Sequence, residues 1–213
     1  DLRTLLAAMS LQAALLSRGD AAGTTLAQVV AAGKKLYRLT ARMDGLVGDL
    51  LDVARIEAGK VGMETRNRPV EPPLREVVET FRPVAEDRGI ALMLEPLAPG
   101  IRARFEDGRL FQVLGNLVGN ALKFTPRGGQ VTVGAQVQGT LVRCCVKDTG
   151  CGVSPAVLSS IFERHWQRTP GHHGGLGLGL YIAHSIVEAH GGTLWVEQPK
   201  EGGSLFCFTV PRA

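Results

Sequence analysis

No run of about 18 apolar residues occurs in the 213 residues, so nothing in this chain reads as a membrane-spanning helix; contact with a membrane is expected only if an upstream segment supplies it. The first residues lack the basic, then apolar, then small-residue series of a secretory signal, opening instead with Asp1 and Arg3 in a helix-periodic stretch. Aromatic residues make up only 5% of the chain, too few for a platform on which bases stack. The net charge is +4, yet Lys and Arg are scattered and form no basic run. Nucleic acid is therefore not an expected partner, and a weakly positive surface suits an anionic ligand equally well. The four cysteines, Cys144, Cys145, Cys151 and Cys207, form no paired C-x-x-C motifs, which argues against zinc. Neighbours Cys144 and Cys145 would face opposite sides of a strand. All four are expected to be reduced, mostly packing residues in a cytoplasmic setting.

Proline is absent before Pro69, and Tyr37 is the only aromatic residue in that region. Leu36, Leu39, Met43, Leu46, Leu50 and Val53 alternate by three and four, and Val29 and Ala32 extend the series backwards. Leu2, Leu6, Met9, Ala13 and Leu16 repeat the spacing, and the segment from Ser17 to Gly23 reads as a turn between them. This predicts a helical hairpin with a narrow apolar seam. One hairpin cannot enclose its own core. Two copies can, as a four-helix bundle, although a monomeric hairpin lying on the rest of the chain satisfies the same pattern. Gly59, Gly62, Pro69, Pro72 and Pro73 punctuate a boundary, giving domains 1–62 and 63–213. Beyond it the patterns alternate. Helices are expected over 74–87, 108–124 and 177–189, and strands over 90–94, 101–105, 130–137, 141–147, 193–197 and 204–210. The fold class is α+β: a helical hairpin followed by an α/β sandwich with helices on one face of a mixed sheet. No internal repeat or low-complexity tail is present.

Three segments of the second domain could carry chemistry. In QVLGNLVGNALKFT, Asn116, Asn120 and Lys123 fall on one helix face, opposite Val113, Leu114, Leu117 and Leu122. Carboxamide oxygens and an ammonium suit phosphate and a hard cation such as magnesium; taken alone, the face reads first as a solvated one. In VKDTGCGV, Asp148 ends a strand and could accept a hydrogen bond from an amino group, while Gly150 and Gly152 would let a flat ring approach the backbone. An ordinary Asp-Thr-Gly turn has the same letters. In GGLGLGLYIAHSIVEAHGG, glycines 174, 175, 177 and 179 lead into an amphipathic helix whose first N–H groups can face phosphate. No Gly-Lys-Ser/Thr follows, which excludes a P-loop, and no strand–glycine–helix–strand unit makes it a dinucleotide fingerprint.

In this order the three segments resemble the N, G1 and G2 boxes of the histidine-kinase catalytic domain, within the superfamily shared with gyrase, Hsp90 and MutL ATPases. IFERHWQR, between G1 and G2, resembles the F box. The likeness covers nearly the whole chain. It implies ATP and Mg2+ as cofactors. Asp148 would hold the adenine amino group, with Gly150 and Gly152 bordering the ring. Asn116 and Asn120 would hold magnesium and the phosphates, and Lys123 would face a phosphate. Phe162 would be the F-box aromatic and Arg168 a phosphate contact in the lid, and Gly175, Leu176, Gly177, Leu178 and Gly179 would form the loop over the triphosphate. The lid is short, and His172 and His173 within it have no evident role. In the hydrolysing members a carboxylate stands where this chain has Asn116, which cannot act as a general base, so transfer to a protein nucleophile is expected rather than attack by water.

The resemblance extends to the N-terminus, where Asp1 to Leu6 resembles the H box read from the residue after the phosphoacceptor histidine. Asp1 would be the acid beside that imidazole, Thr4 the hydroxyl associated with dephosphorylation, and Leu5 replaces the usual proline. None of the five histidines (165, 172, 173, 184 and 190) occupies the acceptor place. The reading is that the acceptor stands just before Asp1. The implied partners are a second copy of the chain, through the hairpin, and a response-regulator receiver domain. A nucleotide-binding scaffold without catalysis is the alternative, and an ATP-hydrolysing clamp the more distant one.

Overall fold

The computed structural model describes residues 6–10, 13–14, 25–58, 63–158, 160–164 and 177–213. The chain divides into two compact units, Asp1–Arg55 and Ile56–Ala213. Asp1, Thr4, Leu5, the turn expected at 17–23, Arg168 and the loop residues Gly174, Gly175 and Leu176 lie outside the described residues.

In the first unit, residues 6–10 are helical, and helix α1 (Leu26–Glu57) runs without a break into the start of the second unit. No described helix is long and apolar enough to cross a membrane. Most of the expected seam is shielded, with Ala32, Leu36, Leu39 and Met43 half-buried and Leu46 and Val53 buried, but its members Val29 and Leu50 are exposed. Beside it Val30, Tyr37, Val47 and Leu51 are also more than a third accessible.

The second unit is α+β. Its five-stranded mixed sheet has the order β2-β4-β5-β7-β6, formed by β2 (Ala91–Leu94), β4 (Gln130–Gln138), β5 (Leu141–Asp148), β7 (Ser204–Pro211) and β6 (Leu194–Glu197). Only β2 and β4 run parallel. Strands β1 (Arg66–Pro69) and β3 (Arg102–Phe105) form a separate antiparallel ribbon, joined to the chain end by an Ala103–Arg212 bridge. Strand β1 was not expected, because Arg-Asn-Arg-Pro has no apolar alternation; pairing with β3 makes it a strand.

Three helices, α2 (Glu71–Arg88), α3 (Asp107–Phe124) and α4 (Gly179–Ala189), cover one face of the sheet. Pro72 and Pro73, expected to precede helix α2, sit in its first turn, where a missing N–H leaves no bond unmade. Gly89 ends this helix in the left-handed conformation, φ 65°, with its N–H bonded to Ala85 and Glu86 carbonyls. Between the layers Leu74, Val77, Leu110, Leu114, Leu117, Ile182 and Ile186 meet Val131, Val133, Val142, Val146, Phe206 and Phe208, all buried. Alternation along β5 puts Val142, Cys144, Val146 and Asp148 on this inner face, and Arg143, Cys145 and Lys147 on the helix-free face. The expectation of four reduced cysteines is corrected here: Cys145 and Cys207 are paired in a disulfide between β5 and β7. A strand register, which sequence spacing does not reveal, brings residues 62 apart into contact.

Candidate nucleotide site

The last residue of β5 is Asp148, only 3% exposed at the end of the inner face. Its Oδ1 accepts the Gly150 N–H at 2.8 Å, and Ser204, its register partner on β7, also donates to it. Burial raises the Asp148 pKa above the ordinary carboxylate value, and the Gly150 and Ser204 bonds offset part of that rise. A buried carboxylate with acceptor capacity to spare suits an amino group on a flat ligand.

Gly150 serves the backbone as much as any ring. A Cβ there would stand 2.5 Å from the Phe124 carbonyl oxygen and 2.8 Å from Asp148 Oδ1. The absent side chain lets the end of β5 close onto the C-terminus of α3. Gly152 has φ 70°, which favours glycine. Thr149, between Asp148 and Gly150, locks the turn to β4, its Oγ1 accepting the Gln130 N–H at 2.9 Å.

Asn116 and Asn120 are half-buried on α3, whose opposite face holds Val113, Leu114, Leu117 and Leu122 in the core. Asn116 Nδ2 is buried without a hydrogen-bond partner, an arrangement that calls for a ligand or an equivalent acceptor. Its Oδ1 lies 3.2 Å from where a Cβ on Gly179 would stand. The start of α4 is thus brought against the middle of α3. Gly177, φ 71°, turns the chain into α4, which has no side-chain cap and no acidic residue in its first turn. Its first N–H groups can receive an anion. Leu178 is buried and acts as a packing residue at the helix start. Lys123 is exposed, with its ammonium 5.0 Å from the Phe124 ring centroid. Phe162 stacks on His184 of α4, ring centroids 5.3 Å apart, which ties the segment after β5 to α4.

Tertiary structure therefore brings Gly179 at the start of α4 to Asn116 in the middle of α3, and Asp148 and Gly150 to the C-terminus of α3. Lys123 faces solvent beside them. Three contributors were not legible in the sequence. Gly203 ends the β6–β7 turn and Ser204 opens β7: Ser204 bonds Asp148, and a Cβ on Gly203 would lie 1.9 Å from the Asp148 carbonyl oxygen. The Gly202-Gly203 pair was a turn signal, but nothing in it pointed to Asp148. The third is buried His190, whose Nδ1 donates to the Ile186 carbonyl at 2.8 Å while Nε2 accepts the Glu106 N–H at 3.1 Å, pinning the start of α3. A groove of about 430 Å³ lies on the helix-free face and takes Lys147 and Thr149, the residues flanking Asp148, with Met93, Glu95 and Thr132.

A family model described as histidine kinase-, DNA gyrase B- and HSP90-like ATPase matches residues 106–213. The sensor protein DivL of Caulobacter vibrioides is 35% identical over 211 residues, covering 99% of this chain and 27% of DivL. Full-length ShkA, solved in complex with AMPPNP, has a TM-score of 0.76 at 32% identity, over 97% of this chain and 43% of ShkA. ThkA, solved in complex with the response regulator protein TrrA, shares the fold, with a TM-score of 0.66 at 22% identity over 99% of this chain and 59% of ThkA. This chain thus spans about a quarter of the length of DivL and less than half of ShkA. Matched along residues 106–213 by the family model and along almost its whole length by a sensor protein, the chain belongs to the histidine kinase family and carries that family's ATPase domain.

Proposed function

We propose that this chain is the catalytic core of a sensor histidine kinase, which transfers the γ-phosphate of ATP to a histidine placed directly before Asp1 and from there to an aspartate of a response regulator. The observation that carries the reading is the Asn116 amide. Its Nδ2 is buried without a partner and its Oδ1 is set against the glycine start of α4, while buried Asp148 stands near the C-terminus of α3. An amide N–H donor fits a phosphate oxygen, and an uncapped helix start fits an anion. ATP therefore suits the donor set, with its adenine amino group toward Asp148 and its phosphates toward Asn116, Asn120, Gly177 and Gly179. Magnesium suits the carboxamide oxygens of Asn116 and Asn120, and when bound it would neutralise charge on the phosphates. Lys123, exposed at the C-terminal end of α3, supplies a further positive charge. Arg168, Gly175 and Leu176 would complete the loop.

Catalysis on this reading is positioning and charge stabilisation. No carboxylate stands at the Asn116 position to activate water, which favours transfer to protein over hydrolysis. Asp1 would orient the acceptor imidazole, and Thr4 would act in the reverse step. Residues 1–62 would form the dimerisation hairpin and 63–213 the catalytic domain, working in the cytoplasm. The exposed Val47, Leu50 and Leu51 row of α1 supports a second copy as its cover. The ShkA complex with AMPPNP and the ThkA complex with TrrA support the nucleotide and the response-regulator partner by likeness.

The test is incubation of the full-length protein with γ-labelled ATP and magnesium, beside Asp148→Asn. Acid-labile, alkali-stable label that disappears in the variant supports the reading. Nucleotide binding without label would replace it with a non-catalytic scaffold, and steady ATP turnover without label with a hydrolysing clamp.

A further inference from the structure

The helix-free face of the sheet holds a cluster that the nucleotide site does not use. Cys145 on β5 and Cys207 on β7 stand directly opposite one another in the register, Cα atoms 4.2 Å apart, and are bonded. That spacing is the short one of an antiparallel ladder. Cys145 is half-buried, whereas Cys207 is fully buried. Arg143 lies across them. Its Nη2 is 3.1 Å from Cys207 Sγ and 2.7 Å from Glu197 Oε1, and its guanidinium carbon is 5.3 Å from the Trp195 ring centroid. Trp195 Nε1 donates to the same Glu197 oxygen at 2.7 Å. A guanidinium held beside a sulfur by two other groups stabilises the thiolate that forms when the bond opens. Cys144, one residue away, has the opposite environment: burial in the core pushes its thiol up to about 12, so it stays protonated.

We infer that Cys145 and Cys207 form a reversible disulfide that couples thiol redox state to the nucleotide site, on the premise that the site binds nucleotide as proposed above. The coupling follows from register. Three positions along the same strand pair from Cys145–Cys207 stand Asp148 and Ser204, hydrogen-bonded to each other. Closing the bond restrains β5 against β7 next to the pair that holds the acceptor for the ligand's amino group. A pre-ordered site binds its ligand with less loss of freedom.

The chemistry balances with a low-molecular-weight disulfide as oxidant. The Cys145 thiolate, the more accessible sulfur, attacks one sulfur of the oxidant, forming a mixed disulfide and releasing one thiolate. The Cys207 thiolate, balanced by Arg143, then attacks the Cys145 sulfur and displaces the second thiolate. The protein loses two electrons and two protons, and the oxidant gains them as two thiols; a small thiol in excess runs the steps in reverse.

The experiment equilibrates the 213-residue chain in glutathione buffers of graded ratio. One aliquot is acid-quenched, denatured, alkylated and mapped by peptide mass. ADP–magnesium affinity is measured by calorimetry in the same buffers, for the wild type, Cys145→Ser and, should that variant misfold, Cys145→Val. The expected result is that two of the four cysteines become protected together as a linked 145–207 peptide. The oxidised form should bind nucleotide about threefold more tightly than the reduced form, and the variants should show one affinity in every buffer. Four alkylated cysteines under all ratios would overturn the inference. So would a bond that closes without changing affinity, or a variant that still responds, which would move the response to Cys151 between Gly150 and Gly152. Absence of binding in both redox states, with the linked peptide still formed, would overturn the coupling through failure of the nucleotide reading, a result the thiol map separates from the others.

Discussion

At Asp148 the fold and the proposed chemistry pull in opposite directions. Burial raises its pKa, so the fold disfavours the charged form that the proposed contact uses. The sign follows: its contribution to stability is complete below the unfolded carboxylate value and is lost as pH rises through the raised folded one. Asp148→Asn removes a charge that the fold does not favour, and it should unfold thermally within a few degrees of the wild type at neutral pH. The same variant should lose nucleotide affinity by about 100-fold, because an amide donor replaces an acceptor at a buried contact. In wild type, affinity should weaken as pH falls through the raised Asp148 value, which lies above the ordinary carboxylate range, and calorimetry of wild type at graded pH reads this directly. Comparable melting and lost binding together would separate a ligand contact from a structural carboxylate. Asn116→Ala should likewise spare the fold, since its Nδ2 bonds nothing there, while weakening triphosphate more than adenosine.

At the level of elements, the site depends on two close approaches. Gly150→Ala would put a Cβ 2.5 Å from the Phe124 carbonyl oxygen, against backbone that cannot rotate away. A loss of about 1–3 kcal/mol in urea unfolding is expected, with weaker nucleotide binding, because β5 must retreat from α3. His190→Ala breaks the tie between the end of α4 and the start of α3, leaving the Glu106 N–H without its acceptor, and should cost about 1–3 kcal/mol. Most of these elements were readable. Apolar alternation gave β4, β5 and β7 to within a residue or so, and the N-box helix was visible in its 3.6-residue pattern. Strand β1 was hidden because its partner, not its composition, makes it a strand. Helix α2 began earlier than expected because its prolines fall where a helix tolerates them.

For the whole molecule, the exposed row on α1 matters most. Val47, Leu51 and the seam residue Leu50 remain accessible although most of the seam is half-buried or buried. If two copies cover this row, Leu50→Asp with Leu51→Asp should weaken self-association by about 2 kcal/mol or more, seen as a shift to monomer in sedimentation equilibrium. Nucleotide affinity should be unchanged, since Asp148 and Asn116 belong to the other compact unit. A chain that is monomeric before substitution would remove the four-helix bundle from the proposal.

The sequence by itself determined the family likeness, the choice of Asn116, Asn120, Asp148 and the loop glycines as candidates, and the alternation that places Asp148 and Cys144 on one face of β5 and Cys145 on the other. Those are local properties, set by residue type and by the periods of helix and strand. Only the tertiary structure decided that Ser204 meets Asp148, that Gly179 abuts Asn116, that His190 anchors α3 and that Cys145 bonds Cys207. Each is a contact between residues far apart in the chain, set by strand register and helix packing, and no local pattern encodes which distant residue will stand opposite.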